Sequence, residues 1–581
     1  MDRTNSGIKT RAVFLTGLVG LVALLWPGLV TSDQTENIGE PDPARMMVAS
    51  GNRVASEVGV RVIERGGNAV DAAVAVQMML AFVAGPSTGI GGGGFMVYRD
   101  GQDGNITVYD GRETAPGAID PSLLLVLPGV PMPLWFAVIS GYGAGVPGTV
   151  AMLHLAHSEQ GRLHWADLIQ PAIAAARKGV DVPERLQLQV AKDPSLGLFD
   201  GLEAVFVTPV ENGDRLTNKA LADTLERIAE EGPSAFYEGA IPEAIVAGVR
   251  NESLLGSGLT TEDFDSYEAK RREPVCGDYR EWTICGPPPP SGGGLAVLQL
   301  LGILEHFNMG AMEPGSAEAI HVFSEASRLA LADVNHYVGD PAFVDVPLEH
   351  LLSDDYLAER AALVSPDEVR DEVSSGTPDS ELENGVSRIL EPRTSYGTSH
   401  FSIVDGNGGV VSMTNSNAAP FGSRVVVNGF VVNSQLTDFD FDPRVDGQLV
   451  ANAPEPHKRP RSSMSPVIVM DPEGEVRLVV GSRGGGRIVH YVAKVLVAVL
   501  DWNLSIQQAI DLPNVANQGH ELELEEHRVS PALVEQLENL GHDVAVHELM
   551  SGLHGFERHG SGWRGGTDAR VKGSYVPGAG Q

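Results

Sequence analysis

Thr398 directly follows Gly397 and heads a β-prone apolar run, Phe401, Ile403 and Val404. A threonine in that place has chemistry open to it that an interior threonine lacks. If the Gly397–Thr398 bond is cut, Thr398 owns both a hydroxyl and a free α-amine. An α-amine has an ordinary pKa of about 7.7–8.0, so part of it is neutral near pH 7 and accepts the hydroxyl proton. Nucleophile and base then share one residue. The competing reading is plain packing, because threonine is a common strand residue. Further polar groups follow, each where an apolar run ends: Ser416 with Asn417, Gln435 with Asp438, Arg461 with Ser462 and Ser463, and Gly481 to Arg487. The last is a strand–glycine–helix junction, where successive backbone N–H groups can face one anion as an oxyanion hole does. Upstream, Arg112 follows the strand Ile106–Tyr109; it either forks a substrate carboxylate or pairs with Asp110 or Glu113.

These residues need elements to hold them. Phe401–Val404, the turn cluster Asp405-Gly406-Asn407-Gly408 and Val410–Thr414 read as a β-hairpin. The polar, acidic stretch from Asp367 to Asn384 reads as a mobile surface tail leading up to it. Near the start of the chain, Val54 to Ile63 has helical spacing, and Ala69 to Ala84 is apolar throughout and predicts a buried helix. Asp71 falls in its first turn, where a carboxylate complements the helix dipole. Gly89 to Tyr98 lacks the Gly-Lys-Ser/Thr of a phosphate loop and runs from helix into strand, so its glycines serve close backbone packing. Helices over 220–231, 240–250, 295–306 and 316–337 precede a strand-rich last third, a pattern of helices layered on sheet.

The chain is long, 581 residues, and its net charge of −35 argues against a nucleic-acid partner, which a basic face would serve. Arg3, Lys9 and Arg11, an apolar run from Ala12 to Trp26 and the small residues up to Ser32 have the layout of a signal peptide over 1–32. Cleavage there yields an exported body, periplasmic or extracellular; retention leaves a membrane anchor. The two cysteines, Cys276 and Cys285, flank a short turn, and a local disulfide between them suits an oxidising compartment.

Taken together, several segments resemble the γ-glutamyltranspeptidase (glutathione hydrolase) family of N-terminal nucleophile hydrolases. They are Gly66 to Ala73, Gly91 to Met96, Gly145 to Thr149, the Pro287–Gly294 turn, Thr398 to Asp405, Ser462 to Pro466 and the Gly484–Gly485 pair. The resemblance runs from Met46 to Lys572. It implies an α+β fold, an αββα sandwich with two stacked sheets between helical layers. It implies autocatalytic cleavage at Gly397–Thr398 into a large subunit, 33–397, and a small one, 398–581, which stay together as a heterodimer. Thr398 matches the nucleophile, Ser416 the hydroxyl beside it, and Gly484 and Gly485 the oxyanion-hole amides. Arg112, Ser462 and Ser463 match the ligands of the glutamyl α-carboxylate, and Gln435 and Asp438 those of its α-ammonium, with Arg112 and Asp438 on opposite sides of the head. No cofactor or metal is implied. The substrates are γ-glutamyl amides such as glutathione, with water or an amino acid as acceptor. Two departures bear on the acyl group. Ala418 stands where the family usually carries an asparagine for the α-amine, and Asn417, one position early, should face the other side of its strand. Arg461 adds positive charge beside the serine pair. With the short stretch between Asp438 and Lys458, these favour as the alternative a glutaryl-cephalosporin acylase or poly-γ-glutamate hydrolase. An exported solute-binding protein that never processes is the reading from a different class.

Overall fold

A computed structural model describes residues 44–377, 397–519 and 521–578; the signal-peptide segment and residues 378–396 lie outside the described residues. Two antiparallel sheets form the centre. The seven-stranded sheet has the order Ser574–Pro577, Met47–Ser50, Thr398–Val404, Val410–Ser416, Gly93–Arg99, Ile106–Asp110 and Lys270–Arg272. The six-stranded sheet runs Gly562–Thr567, His554–His559, Val476–Gly481, Val467–Met470, Trp282–Gly286 and Val275–Tyr279. Strands from either side of Thr398 contribute to both sheets and interleave in the first. Phe95, Val97, Val404, Ile468, Val479 and Phe556 pack between the sheets as one apolar cluster.

The outer faces are covered by helices, giving an α+β sandwich of four layers. Ala69–Val83 and Trp165–Lys178 belong to the core over the first sheet, and Gly293–Leu304, Ala317–Tyr337 and Ile488–Leu500 to the core over the second. Every residue of Ala69–Val83 is buried, as its uniform apolarity requires, and each large side chain so buried contributes about 1.5–3 kcal/mol. Its start is a capping box in which Asn68 accepts from the Asp71 N–H and Asp71 accepts from the Asn68 N–H.

The glycine run before the Gly93–Arg99 strand is a contact surface between backbones. A Cβ at Gly92 would lie 2.1 Å from the carbonyl oxygen of Ser416, and one at Gly94 2.1 Å from that of Thr414. Only glycine lets this strand lie against the strand that carries Ser416. Cys276 and Cys285 sit directly opposite each other in their hairpin and form a disulfide. The acidic stretch departs from expectation in its first part. Residues 367–377 are tied to the body: the Val369 N–H donates to Leu540 O, the Gly376 N–H to Asp333, and the buried Arg328 and Arg360 donate to the carbonyls of Arg370 and Ser374. Buried guanidinium groups needing acceptors fix that segment, a demand invisible in its own polar composition.

Candidate active site

The strand Thr398–Val404 pairs with Val410–Ser416 in a register that sets Thr398 directly opposite Ser416. Their hydroxyl oxygens are 3.0 Å apart, and both residues are buried. Ser416 Oγ also donates to the carbonyl oxygen of Gly397 at 2.9 Å and accepts the Ala418 N–H at 2.8 Å. The one hydroxyl proton of Ser416 thus goes to Gly397 O, so Thr398 O–H is the donor of the pair. A second donor, the backbone N–H of Asn417, reaches the same Gly397 oxygen at 3.1 Å. The carbonyl next to Thr398 is therefore polarised by two hydrogen bonds. The Asn417 contact depends on backbone position alone, so side-chain identity carried no signal of it. Asn417 faces away from the site as its register predicts, donating to Gly85 O.

One cavity of about 110 Å³ is lined by Thr398, Ser416, Ala418, Gln435, Asp438, Ser462, Ser463 and Gly485, together with Gly486. Sequence reasoning brought these side chains to one place correctly, with two exceptions. The first is Arg112, which is wholly buried behind Asp438. Its Nη2 donates to Asp438 Oδ2 at 2.5 Å and to Arg461 O at 2.7 Å, and its Nε to Pro460 O. Arg112 and Asp438 are thus in contact, whereas opposite sides of a substrate head were expected. The two charges are each other's nearest counter-ions, Arg112 fully buried and the Asp438 side chain 29% exposed to the cavity side. Gln435 Nε2 meets the same Asp438 Oδ2 at 2.7 Å. Two donors on one oxygen hold the carboxylate with its other oxygen available to a ligand. The second exception is the glycine junction, where Gly485 and Gly486 line the cavity, and Gly484, one residue earlier, packs against the Tyr491 ring. Gly484 and Gly485 have φ of +142° and +61°, backbone that L side chains adopt rarely.

Arg461 also lines the cavity, but its guanidinium is committed. It donates to Asp440 Oδ1 at 3.3 Å and to Asn335 O at 3.1 Å, at the end of the Ala317–Tyr337 helix. The expected free positive charge beside the serines is spent on a helix terminus and a buried carboxylate. Glu113, adjacent to Arg112, is wholly buried, and burial pushes its carboxyl up to about 8 against the opposing pull of Arg112. His400, two residues after Thr398, is held well below the usual histidine range by burial; it bridges Thr414 Oγ1 and Ser402 Oγ.

Loops far apart in sequence aim these groups. The Pro287–Gly294 turn clamps the serine pair: Gly292 N–H donates to Ser462 O, Ser462 N–H to Pro290 O, and Ser291 Oγ to Met464 O. Buried Asn433 gathers three segments, donating to Gly91 O and Gly145 O and accepting from the amides of Gly145 and Gln435. Sequence reading passed over Asn433; its position two residues before Gln435 was the available signal. Ala418, where an asparagine was expected, has φ of +69°, a region asparagine tolerates better than alanine.

A match to Gamma-glutamyltranspeptidase spans residues 55–578. The chain is 37% identical to the Glutathione hydrolase proenzyme of Escherichia coli (strain K12) over 529 residues, 89% of this chain and 88% of that protein. It is 31% identical to the Acylase ACY 1 proenzyme of Pseudomonas sp. (strain SE83), covering 88% of this chain and 89% of that one. Among solved structures, a cephalosporin acylase from Bacillus halodurans shares the fold with a TM-score of 0.78 at 24% identity, over 95% of this chain and 100% of that chain. A family match over residues 55–578 and 37% identity to a relative across 89% of the chain place this protein among the enzymes of the gamma-glutamyltranspeptidase family.

Proposed function

We propose that this chain hydrolyses glutathione and other γ-glutamyl amides and transfers their γ-glutamyl group, through an ester on Thr398. The observation that carries the reading is the cluster Thr398 Oγ1, Ser416 Oγ and Gly397 O, within 3.0 Å of one another along the chain of hydrogen bonds. Maturation comes first. Thr398 Oγ1 attacks the Gly397 carbonyl carbon, whose oxygen is held by Ser416 Oγ and the Asn417 N–H. The peptide C–N bond breaks as its nitrogen gains a proton, and water hydrolyses the resulting ester. Gly397 leaves with a carboxylate, and Thr398 keeps a free amine.

In turnover that amine accepts the Thr398 hydroxyl proton, directly or through water, while the oxygen attacks the γ-carbonyl. Backbone N–H groups of the Gly484–Gly486 turn receive the developing oxyanion, a kind of donor whose removal typically costs ~10²–10³ in rate. The C–N bond breaks and the protonated amine of Thr398 returns the proton to the leaving nitrogen. Water, or an amino-acid amine, then cleaves the ester. In this scheme Ser462 and Ser463 bind the α-carboxylate, and Arg112, behind Asp438, contributes positive field to it. Gln435 and Asp438 take the α-ammonium. Fragments 33–397 and 398–581 remain a heterodimer because Met47–Ser50 is hydrogen-bonded between Thr398–Val404 and Ser574–Pro577. Export through the 1–32 segment completes the reading; no helix among the described residues is long and apolar enough to cross a membrane.

N-terminal sequencing of the smaller fragment tests it: a sequence starting Thr398-Ser399-His400 supports the scheme. Active protein that remains one uncut chain excludes it, and inactive uncut protein returns the solute-binding alternative. Ala418 sustains a second reading, a glutaryl-cephalosporin or poly-γ-glutamate substrate, because it removes one polar contact from the α-amine wall. Arg461 no longer argues for it. Relative turnover of glutathione and glutaryl amides separates the two.

A further inference from the structure

Gln518 and Asn335 line the same cavity as Thr398, yet neither belongs to the charged group that would hold a glutamyl head. Asn335 lies in the last turn of Ala317–Tyr337, and Gln518 follows the strand Val515–Asn517. The same lining includes the apolar Leu331, Val334 and Val489, and the committed guanidinium of Arg461 donates to Asn335 O. The Nε2 of Gln518 is buried and has no hydrogen-bond acceptor. A buried donor left without an acceptor is costly, and such groups are rare unless something else satisfies them.

The backbone carrying Gln518 is held from both sides. Asn517 O accepts from His490 Nε2 at 2.9 Å, on the helix that begins at the glycine junction. Asn517 Nδ2 donates to Ser324 Oγ at 3.0 Å, on the helix that carries Asn335. Burial holds His490 near 4, so it stays neutral and its Nε2–H remains a donor to Asn517. Gln518 is therefore presented to the cavity by rigid elements.

We infer that Gln518 determines specificity on the amine side of the scissile bond, donating a hydrogen bond from its side-chain amide to a carbonyl of a peptide-like leaving group, with Asn335 as the second amide of that subsite. This rests on the γ-glutamyl reading. There the carboxylate and ammonium of the head already have partners, and the polar groups without one lie on the leaving side, the nearest amide among them being the peptide unit beyond the γ-amide. Two neutral amides flanking an apolar wall suit an uncharged peptide bond better than an anionic polymer or a bare small amine. In transfer, the acceptor enters where the leaving group departed, so the same subsite selects dipeptide-like acceptors.

The test compares wild type with Gln518→Ala on two donors, glutathione and a γ-glutamyl anilide whose leaving group has no carbonyl. Self-cleavage of the variant into two fragments reports that it folds, since maturation uses Thr398, Ser416 and Gly397. The expected result is a KM for glutathione about tenfold higher, with KM for the anilide within about twofold and kcat on both donors little changed. Equal KM changes on the two donors, or none on either, overturn the inference while leaving the γ-glutamyl reading intact. Wild-type protein that cleaves itself but turns over neither donor sinks the γ-glutamyl reading, and the inference with it.

Discussion

The two walls of the cavity are built on opposite plans. On one, Gln435 and Asp438 are already bonded to each other, and Asp438 to Arg112 behind it, before any ligand arrives. On the other, Leu331, Val334, Asn335 and Gln518 present an apolar surface with neutral amides, and Gln518 keeps a donor unused. Buried charge must be paired in the empty protein, because an isolated ion there is too costly. A neutral amide can wait for its partner at a far smaller penalty. On the proposed reading the first wall suits one acyl head, and the second admits a range of amines.

The contrast is broken most completely at the residue both walls serve. Thr398→Ala should remain one uncut chain and lose activity by about 10⁴-fold or more, seen by denaturing electrophoresis and anilide hydrolysis. Gly485→Ala comes next. Its φ of +61° disfavours any side chain and its turn carries the N–H groups proposed to receive the oxyanion, so kcat should fall ~10²-fold with the fold kept by circular dichroism. Asp438→Asn attacks the charged wall alone. It should lower kcat/KM on glutathione ~10–100-fold and lower it much less on a glutaryl amide, which has no ammonium to miss. Ala418→Asn sharpens the contrast by adding an amide at φ of +69°, where asparagine is the better-suited residue. Preference for γ-glutamyl over glutaryl donors should rise several-fold, read as a ratio of kcat/KM values, about 1 kcal/mol of added discrimination.

The smallest effect concerns stability. Glu113 is pushed from an ordinary 4.5 up to about 8, so the folded protein binds this proton more tightly than the unfolded chain. Its contribution is present below about 4.5 and is lost as pH rises toward 8. Glu113→Gln should flatten the fall of Tm over that window, followed by calorimetry at several pH values.

Much of this was legible in the residues themselves, and what was not shares one cause. The nucleophile hairpin, the helix over 69–83 and the packing role of the Gly91–Gly94 run follow from local pattern: alternation, uniform apolarity and glycine before a strand. Thr398, Ser416, Gln435, Asp438 and the Ser462–Ser463 pair converge on one cavity as their places at strand ends suggested. Misread or missed were Arg112 against Asp438, Arg461 on a helix terminus, Asn433 between three loops, and the tethering of residues 367–377. Each is a buried polar group whose partner lies tens or hundreds of residues away. Hydrogen-bond demand is satisfied in space, and no local periodicity records where.

Gly397 carries a last consequence. A Cβ there would lie 2.1 Å from the oxygen of Ala418, so this residue is wedged against the cavity wall with its carbonyl already gripped. In the proposed scheme the first reactant is part of the protein's own backbone, held beside the Thr398 hydroxyl until it is cut. Maturation should then obey first-order kinetics with the same half-life in a dilute sample as in a concentrated one. No second molecule is needed to start it, and once the bond has gone there is no route back.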